Sequence, residues 1–260
     1  MALRWTETIL GFAAIVASIV SAGCTSPTVS NANSVAPSGP RTGNSNSAPA
    51  VTAANTPNVL EPDRYLVRLT ATLEGKGATA QSLSFTFAKL GADRLWSFQL
   101  TQTPITYLEK SGLKYLVVPT LGRYAEIMPG ESGLQPSELM TPNLAWARLK
   151  SRPAEHLGVE PVNGRTAVKY SFRPASAGAD KSEFLLVDQE TGLAIRSELN
   201  PVGEKGASGN RLIVDARDLQ LNPDSRQFDV PEGMKKVTAE QLRPQIKSLI
   251  EALRVYTDFY

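Results

Sequence analysis

From Tyr65 onward, apolar and polar residues alternate with the period of two that is typical of a strand with one buried face. Tyr65, Val67, Leu69 and Ala71 share one parity, and mainly polar residues occupy the other. Strands joined by short turns predict an antiparallel sheet with one buried and one exposed face. The same alternation, or a shorter form of it, returns at 82–87, 96–101, 106–109, 114–119, 123–128, 168–173, 182–188, 193–199 and 211–221.

One internal region departs from this period. Between residues 131 and 156 the runs 136–140 and 144–149 predict one or two short helices, broken around Pro142. Strands resume after this helical insertion.

The chain closes with an amphipathic pattern that predicts a helix over 238–257. Thr238 and Gln241 fit a capping box at its start. Its apolar stripe favours packing on the sheet, and binding to a membrane surface is the alternative. The stripe consists of Leu242, Ile246, Leu249, Ile250, Leu253 and Tyr256.

The first 23 residues read as a targeting segment. Arg4 precedes an unbroken apolar run at 9–20, which is short of the roughly 20 residues that a membrane-spanning helix needs. Small residues at 21–23 lead to Cys24, the only cysteine. Ser-Ala-Gly-Cys resembles the lipobox of bacterial lipoproteins, which implies cleavage before Cys24 and lipid attachment to it. Thr25 favours the outer membrane by the same resemblance, and an ordinary signal peptide with an incidental cysteine is the alternative.

Residues 24–60 are predicted to be a disordered tether behind that lipid. The segment contains no Phe, Tyr, Trp or Ile, and its only charge is Arg41, so it cannot bury enough surface to offset its chain entropy. A flexible chain of this length spans roughly 30 to 35 Å on average. No repeat or linker divides the remainder of the chain, and we predict one β-rich domain over 61–260.

Composition and side-chain chemistry favour binding over catalysis. Apolar content is 42%, charged content 20% and formal net charge +2, which gives no indication of nucleic-acid partners. His156 is the only histidine, so a Ser-His-Asp site would need it, and we expect it at a helix end or in a loop. We predict no enzyme, no metal and no cofactor. An enzyme, as the alternative, would need carboxylates or His156 to converge in a cleft.

Three motifs, in order, resemble LolA-like proteins. They are LGVEPVNGRTAVKY at 157–170, VDQETGLAIRSE at 187–198, and the pair LNPD and FDVPEGM at 221–224 and 228–234. The resemblance covers residues 64–237. It implies a mainly β (α+β) fold, namely an antiparallel, incompletely closed β-barrel covered by the helical insertion and the C-terminal helix. LolA itself has an N-terminal helix and no lipid anchor, so the layout is closer to LolB or LprG.

The resemblance also implies a function. Members of the superfamily, LppX among them, hold acyl chains in an apolar cavity between sheet and helices. We therefore predict a membrane-anchored, extracytoplasmic lipoprotein that binds or transfers a lipid, an acylated protein or another hydrophobic ligand. The alternative is an envelope-assembly or protein-interaction module with a filled core. Candidate cavity walls are Phe85, Phe87, Trp96, Phe98 and Trp146.

Overall fold

The alternating segments form one twelve-stranded sheet within the residues that the computed structural model describes. Those residues are 56–75, 77, 79–100, 103–128, 131, 139–173, 182–202 and 209–260. In chain order the strands are β1 Arg64–Glu74, β2 Gln81–Leu90, β3 Asp93–Leu100, β4 Thr103–Lys110, β5 Leu113–Val118, β6 Arg123–Glu126, β7 Ala154–Val162, β8 Arg165–Phe172, β9 Glu183–Asp188, β10 Ala194–Leu199, β11 Arg211–Leu221 and β12 Lys235–Lys236.

Two antiparallel meanders make up the sheet. The order is β12-β6-β5-β4-β3-β2-β1-β11-β10-β9-β8-β7, so β1 to β6 are sequential neighbours, and so are β7 to β11. The pair of β1 with β11 joins the two halves, and only the short β12 runs parallel to its neighbour, β6. The sheet is open between β12 and β7. The prediction of a mainly β, antiparallel and unclosed architecture is confirmed.

Alternation along each strand decides which side chains enter the core. On β1, Tyr65, Val67, Leu69 and Ala71 are fully buried, while the side chains between them keep contact with water. We call the face that carries these four residues the inner face. Burying a large apolar side chain contributes about 1.5 to 3 kcal/mol, so a register slip of one residue would be costly.

The inner face packs against the C-terminal helix, α2, at Ala239–Arg254. Leu242, Ile246, Leu249 and Leu253 are buried in the same core as the strands. The helix begins after Thr238, whose N–H donates to Gln241 Oε1 at 3.2 Å as a capping box requires. It ends three residues before the predicted end, and a 3₁₀ turn at Thr257–Phe259 follows it. Of the two alternatives for the stripe, packing on the sheet is the one observed.

A small second core lies on the outer face. Phe228, from the FDVPEGM motif, is buried there with Ala88, Leu95 and Leu108. Phe228 belongs to a 3₁₀ turn at Ser225–Phe228. Asp224 caps the start of this turn, because its carboxylate accepts a hydrogen bond from the Arg226 N–H. This motif therefore covers the sheet from outside and takes no part in the inner face.

The helical insertion contains the second of its two predicted helical runs, 144–149. Among described residues it contains one helix, α1 at Leu144–Leu149, and residues 132–138 lie outside the described part. The prediction that His156 lies at a helix end or in a loop is wrong, because the chain is already a strand from Ala154. β7 gives no alternating signal since it is a mostly exposed edge strand, with a bulge between His156 and Gly158.

The predicted signal peptide, Cys24 and residues 25–55 of the tether lie outside the described residues. At the end of the predicted tether, the Leu60 N–H donates to the Gly192 oxygen at 2.8 Å. Within the described ranges, none of the helices has the length and hydropathy needed to cross a membrane.

Candidate functional site

An aromatic row crosses the inner face. Val67, Phe87, Trp96, Tyr107 and Leu116 are successive cross-strand partners on β1 to β5. None of them is more than 3% exposed. The ring centroids of Phe87 and Trp96 lie 5.1 Å apart, and those of Trp96 and Tyr107 5.6 Å apart. Such ring pairs add about 0.5 to 1.5 kcal/mol each beyond the area they bury.

A polar row borders the aromatic row on the same face. Tyr65, Lys89, Arg94, Glu109 and Lys114 are likewise successive partners on β1 to β5, each two positions from the corresponding member of the aromatic row. Because side chains two apart share a face, the inner face changes from apolar to charged at this rim. A surface that is apolar on one side and charged on the other suits an amphiphile.

Glu61, just before β1, satisfies the first two members of the polar row. Its carboxylate accepts from the Tyr65 hydroxyl and from Lys89 Nζ, both at 2.9 Å. Burial raises the pKa of the Tyr65 phenol well above its ordinary value, Glu61 raises it further, and Arg94 opposes the rise. Tyr65 is therefore a neutral donor at physiological pH.

Glu109 satisfies the far end of the row. It accepts from the Tyr107 hydroxyl at 3.1 Å and pairs with Lys114 Nζ at 3.6 Å. Burial, and then Glu109, raises the pKa of the Tyr107 phenol, so this hydroxyl is also a neutral donor. Arg94 stands between the two satisfied groups. Within the part of the chain that the structure describes, its half-buried guanidinium forms no ion pair or hydrogen bond.

A pocket of about 320 Å³ opens where the two rows meet residues 139–147, which we call the covering segment. Trp96 of the aromatic row and Leu139, Leu144 and Ala147 of the covering segment form its apolar wall. Three apolar residues of the covering segment thus line the space together with an indole. The polar side of the pocket is formed by Glu61, Arg94, Glu109, Thr141 and Asn143.

Among the described residues, three hydrogen bonds attach the covering segment. Trp96 Nε1 donates to the Met140 oxygen at 2.9 Å. Asn143 Nδ2 donates to the Leu60 oxygen, and Asn143 Oδ1 accepts from the Ala194 N–H, both at 3.3 Å. The two Asn143 bonds are long and only partly shielded from water. The segment is consequently held to the sheet by few polar contacts around the pocket.

In two other pockets among the described residues, the arginine already has a carboxylate partner. The first, of about 400 Å³, includes Arg165, which donates to Asp188 at 2.8 and 2.9 Å. The second, of about 430 Å³, includes Arg211, which donates to Glu198 at 2.7 Å. Neither combines apolar residues with an unpaired cation, so we take the pocket beside Trp96 as the candidate site.

The five predicted cavity residues fall at different depths. Trp96 lines the pocket. Phe85, Phe87 and Phe98 lie beneath it in the core and are at most 2% exposed. Trp146 packs against that core from α1 and is half-buried. Their role as cavity walls stays a prediction.

The described residues contain no group of three or more His, Cys, Asp or Glu that could hold a metal ion. His156 is exposed on the edge strand, where its ring lies 5.6 Å from that of Tyr170.

The sequence pattern did not predict the polar row or the position of Arg94 within it. Lys89 and Arg94 flank the Gly91-Ala92 turn, where charged residues are ordinary. The available signal was parity: Arg94 is two positions from Trp96, and Lys89 is two from Phe87. A charged residue two positions from a buried aromatic residue on the same strand shares its face, and so indicates where the buried part of that face ends.

No family model matches the chain, and no curated protein matches it. Several solved structures do match the chain. The chain is similar to proteins of the LolA superfamily. A LolA superfamily protein from Nitrosomonas europaea is 12% identical, with 66% of this chain and 91% of that chain covered and a TM-score of 0.32.

Two mycobacterial proteins, one of them the lipoprotein LppX, give similar values. LppX from Mycobacterium tuberculosis is 14% identical, covering 64% of this chain and 89% of its own, with a TM-score of 0.36. LprF from Mycobacterium bovis is 12% identical, covering 66% and 90%, with a TM-score of 0.39. The predicted LolA- and LppX-like proteins are thus among the solved structures that the chain resembles, and the likeness is one of fold alone.

Proposed function

We propose that this protein is an extracytoplasmic lipoprotein that binds an acyl chain of a lipid or of an acylated protein. The acyl chain of the ligand would enter between the aromatic row and the covering segment. One observation carries the proposal: the pocket beside Trp96 has an apolar wall on one side and the polar row on the other. Binding here is burial, at about 0.8 kcal/mol per methylene group, and needs no catalytic group.

The size of the pocket bears on how much ligand it takes. Its volume of about 320 Å³ lies near the lower end of the range of about 300 to 1,000 Å³ found for small-molecule sites. The pocket therefore has room for the end of one acyl chain. A longer chain needs the covering segment to move away from the sheet, and the ligand would then contact Phe85, Phe87 and Phe98.

The anchor and location belong to the same proposal. Cleavage before Cys24 and lipidation of its thiol would place the domain in the cell envelope, with the outer membrane favoured where the organism has one. The tether would let the pocket reach roughly 30 to 35 Å from the membrane on average.

The test uses the full chain carrying Cys24→Ala, so that no attached lipid occupies the site. The protein is incubated with vesicles of phosphatidylethanolamine and phosphatidylglycerol, separated from them, and measured by native mass spectrometry. We expect bound lipid on the protein. A chain that stays lipid-free at every vesicle concentration overturns the proposal.

A variant that fills the pocket makes the test specific. Ala147 is exposed and lines the pocket, so Ala147→Trp should fill it without disturbing the core. Ser151→Trp, just beyond α1, adds the same side chain at an exposed position outside the lining. We expect lipid to be lost from the first and kept by the second. Equal retention by both would contradict this pocket as the site.

A second candidate function is an envelope-assembly or protein-interaction module with a filled core. The observation that favours it is the dense packing of Phe85, Phe87 and Phe98 in one core with α2. The lipid-free outcome above would support this candidate.

A further inference from the structure

The polar row has one cation more than it can pair. With Glu61 it contains three cations, Lys89, Arg94 and Lys114, and two carboxylates, Glu61 and Glu109. Each carboxylate has a cationic partner: Lys89 is bonded to Glu61 at 2.9 Å, and Lys114 pairs with Glu109 at 3.6 Å. The guanidinium of Arg94 is the one left over in this set.

The position of Arg94 places this unpaired charge at the pocket. Arg94 lines the pocket on the polar side, two residues from Trp96 on the apolar side. It is half-buried, so it can reach a ligand while being partly shielded from competing salt. A guanidinium offers five N–H donors in a planar fork that matches carboxylate and phosphate oxygens.

We propose that the pocket selects amphiphiles with an anionic head group, and that Arg94 binds that head group while the chain lies against Trp96, Leu139 and Leu144. This inference rests on the proposed function and narrows it to acidic ligands, such as a lipid phosphate or a fatty-acid carboxylate. The chains of zwitterionic and neutral amphiphiles would pack against the same apolar residues, but their head groups would lack the contact with Arg94.

Lys89 and Lys114 are less suited to the role. Lys89 is only 8% exposed and already bonded to Glu61, and its release would leave a partly buried carboxylate without its cation. Lys114 lies at the far end of the row and does not line the pocket. Removing Arg94 alone should therefore abolish head-group selection.

The experiment compares amphiphiles with one chain and different head groups. Decyl phosphate, decyl maltoside and inorganic phosphate are titrated separately into the full chain carrying Cys24→Ala, each amphiphile below its critical micelle concentration, by isothermal calorimetry. The variant is Arg94→Gln. Its matched control, Arg64→Gln, removes the same charge from an exposed position on β1 outside the pocket.

We expect Arg94→Gln to raise the Kd for decyl phosphate by at least about tenfold, as loss of a hydrogen bond to a charged group does. The Kd for decyl maltoside should change by less than about twofold, and Arg64→Gln should change neither. Inorganic phosphate alone should bind far more weakly than decyl phosphate, because it lacks the buried chain.

The possible failures are distinguishable. If decyl phosphate and decyl maltoside bind equally to both proteins, the head-group inference is overturned and the proposed function stands. If neither amphiphile binds, the proposed function itself fails. If inorganic phosphate binds as tightly as decyl phosphate, Arg94 serves a soluble anion, and selection of an amphiphile is overturned.

Discussion

The indole N–H of Trp96 donates to the main-chain oxygen of Met140 at 2.9 Å, and this bond joins the aromatic row to the covering segment. Trp96→Phe keeps a ring in the row but leaves that oxygen without its donor. We expect a loss of about 1 to 3 kcal/mol in the free energy of unfolding, the cost of an unsatisfied buried group. Hydrogen exchange of residues 139–147 should also become faster.

The control for this prediction is Trp146→Phe. Among described contacts, the Trp146 indole makes no hydrogen bond, and its side chain is half-buried on α1. Urea denaturation should show a smaller loss for this variant than for Trp96→Phe. Equal losses would mean that ring volume, and not the bond to Met140, holds the covering segment.

A buried carboxylate ties α1 to the second meander. Glu183 is fully buried and accepts from Arg148, Arg152 and the Asn200 N–H. Glu183→Gln leaves two partly buried guanidinium groups without their counter-charge, and we expect a loss of about 3 to 5 kcal/mol. Thermal denaturation measures it.

Glu190→Gln provides the comparison, because Glu190 also pairs with an arginine but its side chain is 74% exposed. An exposed pair contributes at most about 1 kcal/mol, so this variant should denature close to the wild type. A similar cost for both substitutions would refute the view that burial makes the Glu183 cluster important.

Asp188, in the turn of the VDQETG motif, should make the domain sensitive to acid. Burial raises the pKa of this carboxyl, but bonds from Arg165 and Thr191 outweigh it and bring the pKa below its ordinary value. A lowered folded-state pKa contributes stability that is fully present above the unfolded value of about 3.9 and is lost as pH falls through the folded value.

We therefore expect Asp188→Asn to cost on the order of 1 to 3 kcal/mol at neutral pH. The gap to the wild type should narrow as pH falls below about 4, where the carboxyl of the unfolded chain takes up its proton, and should close once the native carboxylate is protonated as well. Urea denaturation across that range measures the gap. Asp218→Asn, in an exposed pair with Arg68, should cost less than about 1 kcal/mol throughout. A constant gap for Asp188→Asn would show that the carboxylate charge is not the source.

Gly192 is a point where a single methyl group should loosen the start of the domain. A Cβ at this position would lie 2.8 Å from Leu60 Cβ, and the glycine has a φ of +73°. Gly192→Ala should therefore displace Leu60, the residue before Glu61, and destabilise the domain by about 1 to 3 kcal/mol. Hydrogen exchange should rise over residues 56–63.

Gly164→Ala separates the two causes. Gly164 has a φ of +78° but open space around its Cβ position, so this variant adds the backbone strain without the clash. We expect residues 56–63 to exchange as in the wild type. If they loosen equally in both variants, contact with Leu60 is not what secures this segment.

Sequence pattern predicted the strands well where one face is fully buried. On β1 and β2 the alternation of Tyr65 to Ala71 and of Leu83 to Phe87 matches the observed burial. The sequence pattern did not predict β7, because this edge strand is mostly exposed and has no buried face that would require alternating apolar residues. A bulge between His156 and Gly158, and Pro161, interrupt the strand further. Periodicity reports burial, and an exposed strand leaves little trace in it.

The candidate site was predicted only in its apolar part. Trp96 was recognisable because large aromatics belong to a core face. Arg94 was not, since its importance depends on which neighbours take the two carboxylates. That pairing is set by the register of β2 to β5 and by Glu61, which lies 33 positions earlier in the chain than Arg94.

The position of β1 between β2 and β11 has a consequence for the order of assembly. The first meander can form as soon as its own residues are available, but one edge of β1 stays unpaired until Arg211–Leu221 arrive. Contacts so distant in sequence form slowly. A chain that emerges from its N-terminus during synthesis therefore carries an open strand edge until residue 221 is available, and during that interval the edge can pair with a wrong strand.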